Sequence, residues 1–311
     1  MSLRENGGYA VVVGGVNLDI GGIPFEPLLG RDSNPGRVRV AVGGVGQNIA
    51  RNLALLRVPV HFLTAFGWDE AGERVVRTCE SAGISLSSAL RLRDASTSVY
   101  LYIADEMGEM QLAVSDMAVC GRITPEYLAQ HEQLLNGAGA VVLDTNLPQE
   151  SIQWLADHCT APLFADPVSM AKADKLLPVL GRLHTLKPNR LEAEALCGLP
   201  ITDKESALRA ADALLATGLQ RVFLSLGPHG VLAVEGIERL FLPNPPLQKR
   251  ENASGCGDAF MAALAWAFLQ GADLRRSALC GLTAAAVTME RAETVNPGMS
   301  AGMIQSKMEL I

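Results

Sequence analysis

Short, largely apolar runs recur along the chain at residues 9–13, 60–66, 140–144, 162–166, 183–186 and 221–226, the first of them apolar throughout. A run apolar at odd and even positions alike describes a strand covered on both faces. Helix-length segments separate these runs, and such alternation predicts an α/β fold with a parallel, doubly wound sheet. Their polar ends (Asn17 and Asp19, Asn146, Asp166, Lys187 with Asn189, Ser225 with Gly227) predict one crevice at the carboxyl edge of the sheet, where such folds hold ligands.

A second pattern is half-exposed. After the Gly- and Pro-rich stretch 21–36, residues 37–42 alternate basic and apolar side chains. With 97–103 and 109–115 they predict a small separate sheet, read either as a flap over the site or as a surface hairpin without function. Met107, Met110 and Met117 fit an adaptable apolar surface. The Ala-rich segments 259–270 and 273–290 read as helices packed closely on the main sheet.

Composition narrows the function classes. With 311 residues, 49% of them apolar and 19% charged, the chain buries a large core as one big domain or a domain with an appendage. A net charge of −7 without a run of lysines or arginines argues against a nucleic acid polymer as partner. Six cysteines without a C-x-x-C pair and five dispersed histidines argue against zinc and fit a reducing cytoplasm. The apolar stretch 259–269 is far short of the roughly 20 residues of a membrane helix, so no membrane partner is expected.

The chemistry concentrates in Asn252-Ala253-Ser254-Gly255-Cys256-Gly257-Asp258, just before the first Ala-rich helix. Glycines flanking a small residue let successive N–H groups turn inward, and a helix start adds positive potential, so the loop suits a phosphate. Asp258 beside an anion is repulsive unless it takes a proton from the attacking group, which is a general base's role. The other reading is a tight turn with Asp258 as an ordinary first-turn acid. Cys256 at a helix start is expected to have a lowered thiol pKa.

Gly43-Gly44-Val45-Gly46-Gln47-Asn48 opens another helix, and its glycines imply close backbone approach to a ligand. The first strand lacks the G-x-G-x-x-G spacing, which disfavours a dinucleotide-binding dehydrogenase. Asn189 and Glu192 share a helix face and read as a water-mediated magnesium site or as a capping box. Ser225 to Gly230 reads as a second phosphate cradle or as a plain hairpin turn.

Together, residues 43–50, Asn189-x-x-Glu192 and residues 252–258 resemble the signatures of PfkB-type, ribokinase-like carbohydrate and nucleoside kinases, in the same order, over residues 9–300. More narrowly, Asp32 to Gly36, Ser115-Asp116-Met117, Asp166-Pro167-Val168-Ser169 and residues 184–193 look like bacterial pseudouridine kinases. The resemblance implies a single α/β/α three-layer domain over 9–300 with a β-sheet lid contributed by about 20–42 and 97–115. It implies transfer of the ATP γ-phosphoryl group to a primary hydroxyl, here the ribose 5′-hydroxyl of pseudouridine. Asp258 is then the base, and the N–H groups of Gly255, Cys256 and Gly257 form the anion hole.

By the same resemblance Asp19, Gly43, Gly44 and Asn48 hold the ribose hydroxyls, with Asn17 nearby and Asn146 grouped with the substrate residues. Thr97, Ser98, Asp116 and Met117 are the candidates for reading the base. Lys187, Asn189, Glu192, Ser225, Gly227 and Gly230 attend ATP, with magnesium on Glu192 through water. Asn252-Ala253 stands where sugar kinases of the family often carry Asp-Thr, which leaves an activating monovalent cation an open question. A homodimer through the lid is a further expectation. The alternatives are a kinase for another nucleoside or a free sugar, and a non-catalytic nucleoside sensor that kept the fold.

Overall fold

The computed structural model describes residues 8–107 and 109–310. Its main sheet has nine strands, in the order Glu238–Leu242, Val231–Glu235, Arg221–Ser225, Thr185–Leu186, Leu163–Asp166, Ala140–Asp144, Ala10–Val13, Val60–Leu63, Ile84–Ser85. The last seven are mutually parallel; the first two add an antiparallel hairpin at one edge.

Successive side chains of a strand point to opposite faces, and the first strand shows why its run is apolar throughout. Ala10 and Val12 enter the core beneath Val45–Leu55, Cys256–Leu269 and Leu274–Met289. Val11 and Val13 enter the core beneath Gln149–His158, Arg190–Cys197 and Lys204–Leu215. Each of these valines contributes about 1.5–3 kcal/mol by leaving water. The Ala-rich helix Cys256–Leu269 is buried on nearly every side. A methyl group added at Gly281 would come within 2.3 Å of the Phe260 ring, so glycine there sets how closely the helix Leu274–Met289 approaches.

A separate four-stranded sheet has the order Gly36–Gly43, Asn17–Pro24, Val99–Ala104, Met110–Asp116. Its first strand in the chain falls partly in the Gly- and Pro-rich stretch and begins at Asn17, so Asn17 and Asp19 ride on this sheet. Gly21 is a packing residue here: any side chain on it would overlap the Tyr102 ring. Register pairs Ile20 with Val40 and with Leu101, and Leu101 with Val114. One face is therefore an apolar surface of Val38, Val40, Ile20, Leu101, Leu112 and Val114, and Asp19, Tyr100, Tyr102 and Ser115 point to the other. No helix of the described residues is long and apolar enough to cross a membrane.

Candidate active site

Neighbouring parallel strands bring polar residues to one edge. Asp144 is opposite Asp166 in register, Lys187 follows the strand beside Asp166, and Asn189 bridges to Ser225. Asp144 accepts the Gly15 N–H at 2.9 Å, and a methyl group on Gly14 would lie 2.3 Å from the same oxygen. Asp144 is thus the residue that shapes the turn after the first strand. In the sequence its one signal is that it is a carboxylate ending an apolar run.

The loop before Cys256–Leu269 is built around Gly255, whose φ of 79° is left-handed and whose added methyl would meet the Thr294 carbonyl at 2.0 Å. Only glycine tolerates both conditions. Asp258, 9% exposed in the first turn, accepts the Asn48 side-chain amide at 2.8 Å, so the two glycine-rich motifs meet at one carboxylate. Burial pushes its pKa up to about 7, the charge of Asp166 and then Asp144 adding to the rise while Asn48 and Lys187 oppose it. A carboxyl group poised near neutrality is suited to accept a proton from a hydroxyl.

Lys187 Nζ pairs with Asp166 Oδ2 at 3.2 Å, both side chains 6% exposed. Burial works against the ammonium, yet Asp166, Glu192 and Asp258 together hold its pKa above the ordinary lysine value. The expectation for Cys256 is corrected: burial, with the neighbouring Asp258 charge, pushes its thiol up to about 11, outweighing the helix start.

On the small-sheet side, Asn17 Nδ2 donates to Asp19 Oδ1 at 2.5 Å. Methyl groups on Gly43 and Gly44 would lie 2.0 Å from Asp19 Oδ2 and 2.9 Å from Asn17 Oδ1, so both glycines make room for these side chains. Burial raises the Asp19 pKa, and the Asn17 hydrogen bond opposes that rise. Next to them Gly15 lies under Met117 Cε and Asn146 Nδ2, at 3.0 and 3.1 Å from where its side chain would begin. Lys172 Nζ donates to Asn146 Oδ1 at 2.6 Å, fixing that amide.

Thr97 does not present a spare hydroxyl: it donates to Asp69 Oδ1 at 2.6 Å and accepts from Gly67 N at 2.9 Å. Ser98 is buried, and Asp116 is exposed with its carboxylate turned to Ala118 N at 3.2 Å. Of the base-reading candidates, Met117 is the one whose side chain is shown against Gly15, beside Asn146.

Asn189 and Glu192 form the capping box in full, Asn189 Oδ1 accepting from Glu192 N at 3.0 Å and Glu192 Oε2 from Asn189 N at 2.8 Å. Gly227 and Gly230 have φ of 58° and 88° in a closed turn in which Leu226 N donates to Gly230 O at 2.8 Å. Asn189, Ser225 and Gly227 rim a cavity of about 940 Å³ that continues past Leu191, Lys204 and Phe241. Among the described residues no group of three or more Asp, Glu, His or Cys is arranged to hold a metal by itself.

Comparison with known proteins identifies the family. The family model described as pfkB family carbohydrate kinase matches residues 8–301. The chain is 36% identical over 302 residues to the pseudouridine kinase of Escherichia coli K12, covering 97% of this chain and 96% of that protein. It is 37% identical over 306 residues to the uncharacterized sugar kinase YeiI of the same organism, covering 97% and 84%. The structure of Arabidopsis thaliana ribokinase complexed with ribose and ATP superposes with a TM-score of 0.88 at 21% identity, over 98% of this chain and 99% of that one.

Proposed function

The chain belongs to the pfkB family of carbohydrate kinases, and we propose that it transfers the γ-phosphoryl group of ATP to the ribose 5′-hydroxyl of pseudouridine. Phosphoryl transfer to a sugar or nucleoside hydroxyl follows from family membership. Pseudouridine as the acceptor is the finer proposal, supported by the likeness to the Escherichia coli enzyme along nearly the whole of both chains.

The observation that carries the chemistry is Asp258, buried at the start of Cys256–Leu269 with its pKa raised to about 7. The 5′-hydroxyl proton goes to Asp258 as the hydroxyl oxygen bonds to phosphorus. The bond from γ-phosphorus to the bridging oxygen breaks, and ADP leaves with that electron pair. The N–H groups of Gly255, Cys256 and Gly257 hold the charge that builds on the moving group. Such a reaction needs positioning and charge neutralisation more than covalent help.

Asp19, steadied by Asn17, takes ribose hydroxyls together with Asn48 and the backbone at Gly43 and Gly44. Met117 and Asn146 are assigned to the base. Ser98 directly precedes the strand Val99–Ala104, Asp116 pairs with Val99 at the end of Met110–Asp116, and Thr97 ties this segment to Asp69. Lys187, Asn189, Ser225, Gly227 and Gly230 attend the phosphates.

Magnesium fits as a water-mediated ion. Such ions take one or two carboxylates plus phosphate oxygens rather than a protein cage, and the buried Glu192 is the carboxylate at the phosphate side. Bound there, the ion would neutralise phosphate charge.

The exposed apolar face of the small sheet is assigned to a second copy of the chain, because a patch spanning four strands is costly to leave in water. The free thiols of the six cysteines fit work in the cytoplasm.

A second reading, a kinase for a free sugar or another nucleoside, is favoured by the 37% identity to an uncharacterized sugar kinase. Product analysis with ATP, magnesium and pseudouridine, uridine, adenosine or ribose separates the two. Pseudouridine 5′-phosphate as the preferred product is expected; preference for ribose or adenosine would replace the substrate and keep the kinase.

A further inference from the structure

The ion pair of Lys187 and Asp166 is an expensive feature, since burying two charges costs more than their attraction usually returns. It is not in the middle of either apolar core. Leu163–Asp166 and Thr185–Leu186 pair in parallel with Ala165 opposite Leu186, which sets Asp166 and Lys187 side by side at the carboxyl edge. A methyl group added at Gly257 would lie 3.4 Å from Lys187 Nζ, the one atom from outside the adjoining residues and the helix's own backbone within 4 Å of that point. The ammonium is therefore the immediate neighbour of the middle of the anion loop. It has three donors, and Asp166 is its one ion-pair partner among the described residues.

We propose that Lys187 is the resident cation of the transfer site, contacting the phosphoryl group in flight, and that Asp166 is the positioning residue that holds its ammonium over Gly257. This rests on the kinase reading above. In the step, the acceptor oxygen bonds to phosphorus, the bridging P–O bond breaks with its electron pair going to ADP, and the hydroxyl proton goes to Asp258. Lys187 stays protonated throughout and offsets charge spread over the equatorial oxygens. The pair also acts on the base: Asp166 and Asp144 face Asp258 as anions, Lys187 as a cation, Asn48 as a hydrogen-bond donor, and the Cys256 thiol is neutral.

Kinetics and titration of Lys187→Met and Asp166→Asn test the proposal. Lys187→Met is expected to lose about 10²–10³-fold in kcat with the nucleoside KM nearly unchanged. Asp166→Asn should lose less. The acid limbs of the two pH profiles should move in opposite directions, upward without the cation and downward without the anion, which a merely structural pair would not produce. Carboxyl ¹³C titration of Asp258, assigned with Asp258→Asn, reads the same opposed shifts without turnover. If either single variant fails to fold, the double variant removes both charges and is expected to fold and to stay slow. A kcat of Lys187→Met or of the double variant within about threefold of the wild type, or an Asp258 titration identical in all forms, overturns the proposal. A wild-type protein that phosphorylates no nucleoside or sugar instead overturns the kinase reading on which it rests.

Discussion

The Asn48 side-chain amide donates to Asp258 Oδ2 at 2.8 Å across 210 positions of sequence, joining the helix that follows Gly44 to the helix that follows Gly255. A hydrogen bond to the ionised form of a carboxylate lowers its pKa. Here that bond restrains a carboxyl group that burial pushes the other way. Asn48→Ala is therefore expected to move the acid limb of kcat upward by about one pH unit. A pH–rate profile checks this, and an unmoved limb would detach Asn48 from the base.

The raised pKa of Asp258 also has a stability consequence with a definite sign. Its folded-state value of about 7 lies above the ordinary 3.8, so the native state binds the proton more tightly than the unfolded chain. The associated stability is present below the unfolded pKa and is lost as pH rises toward and through 7. Asp258→Asn removes this penalty and should be more stable than the wild type at pH 8, on the order of 2–4 kcal/mol. The gap should shrink toward pH 5. Thermal unfolding at the two pH values reads both results.

Gly255 combines a left-handed φ with close contact to the Thr294 carbonyl. Gly255→Ala should cost at least about 1–3 kcal/mol and distort the anion loop, lowering the unfolding temperature and activity together. A variant of wild-type stability and rate would mean that the loop readily adopts another shape.

Much of this arrangement was legible in the chain. The largely apolar runs identified strands covered on both sides, as Ala10–Val13 feeds two cores, and the glycine clusters marked positions where Asp19, Asn17 and Thr294 press on the backbone. Pattern alone did not reveal the strand Asn17–Pro24, since Gly21 serves there to admit the Tyr102 ring from a strand some 80 positions away. Nor could it assign Thr97, whose hydroxyl is used by Asp69, or the pairing of Asp166 with Lys187. For Cys256 the local rule for helix starts gave the wrong direction, because burial and Asp258 lie outside that rule.

Val38, Leu112 and Val114 on the outer face of the small sheet are 71%, 64% and 61% exposed, values unusual for side chains of this kind on a sheet. A second copy covering them would make the chain a dimer. Light scattering after size exclusion should find a dimer for the wild type and a monomer for Leu112→Asp with Val114→Asp. A wild-type monomer at all concentrations would leave the face to another partner.

The most direct test of the account is single-turnover phosphoryl transfer by Asp258→Asn beside the wild type, with ATP affinity measured separately. The expected result is ATP binding close to normal and a transfer rate lower by about 10²–10⁴-fold, the usual worth of a general base. Transfer at near the wild-type rate would contradict the assignment of Asp258 as the base and with it the reading of this loop as the site of the reaction.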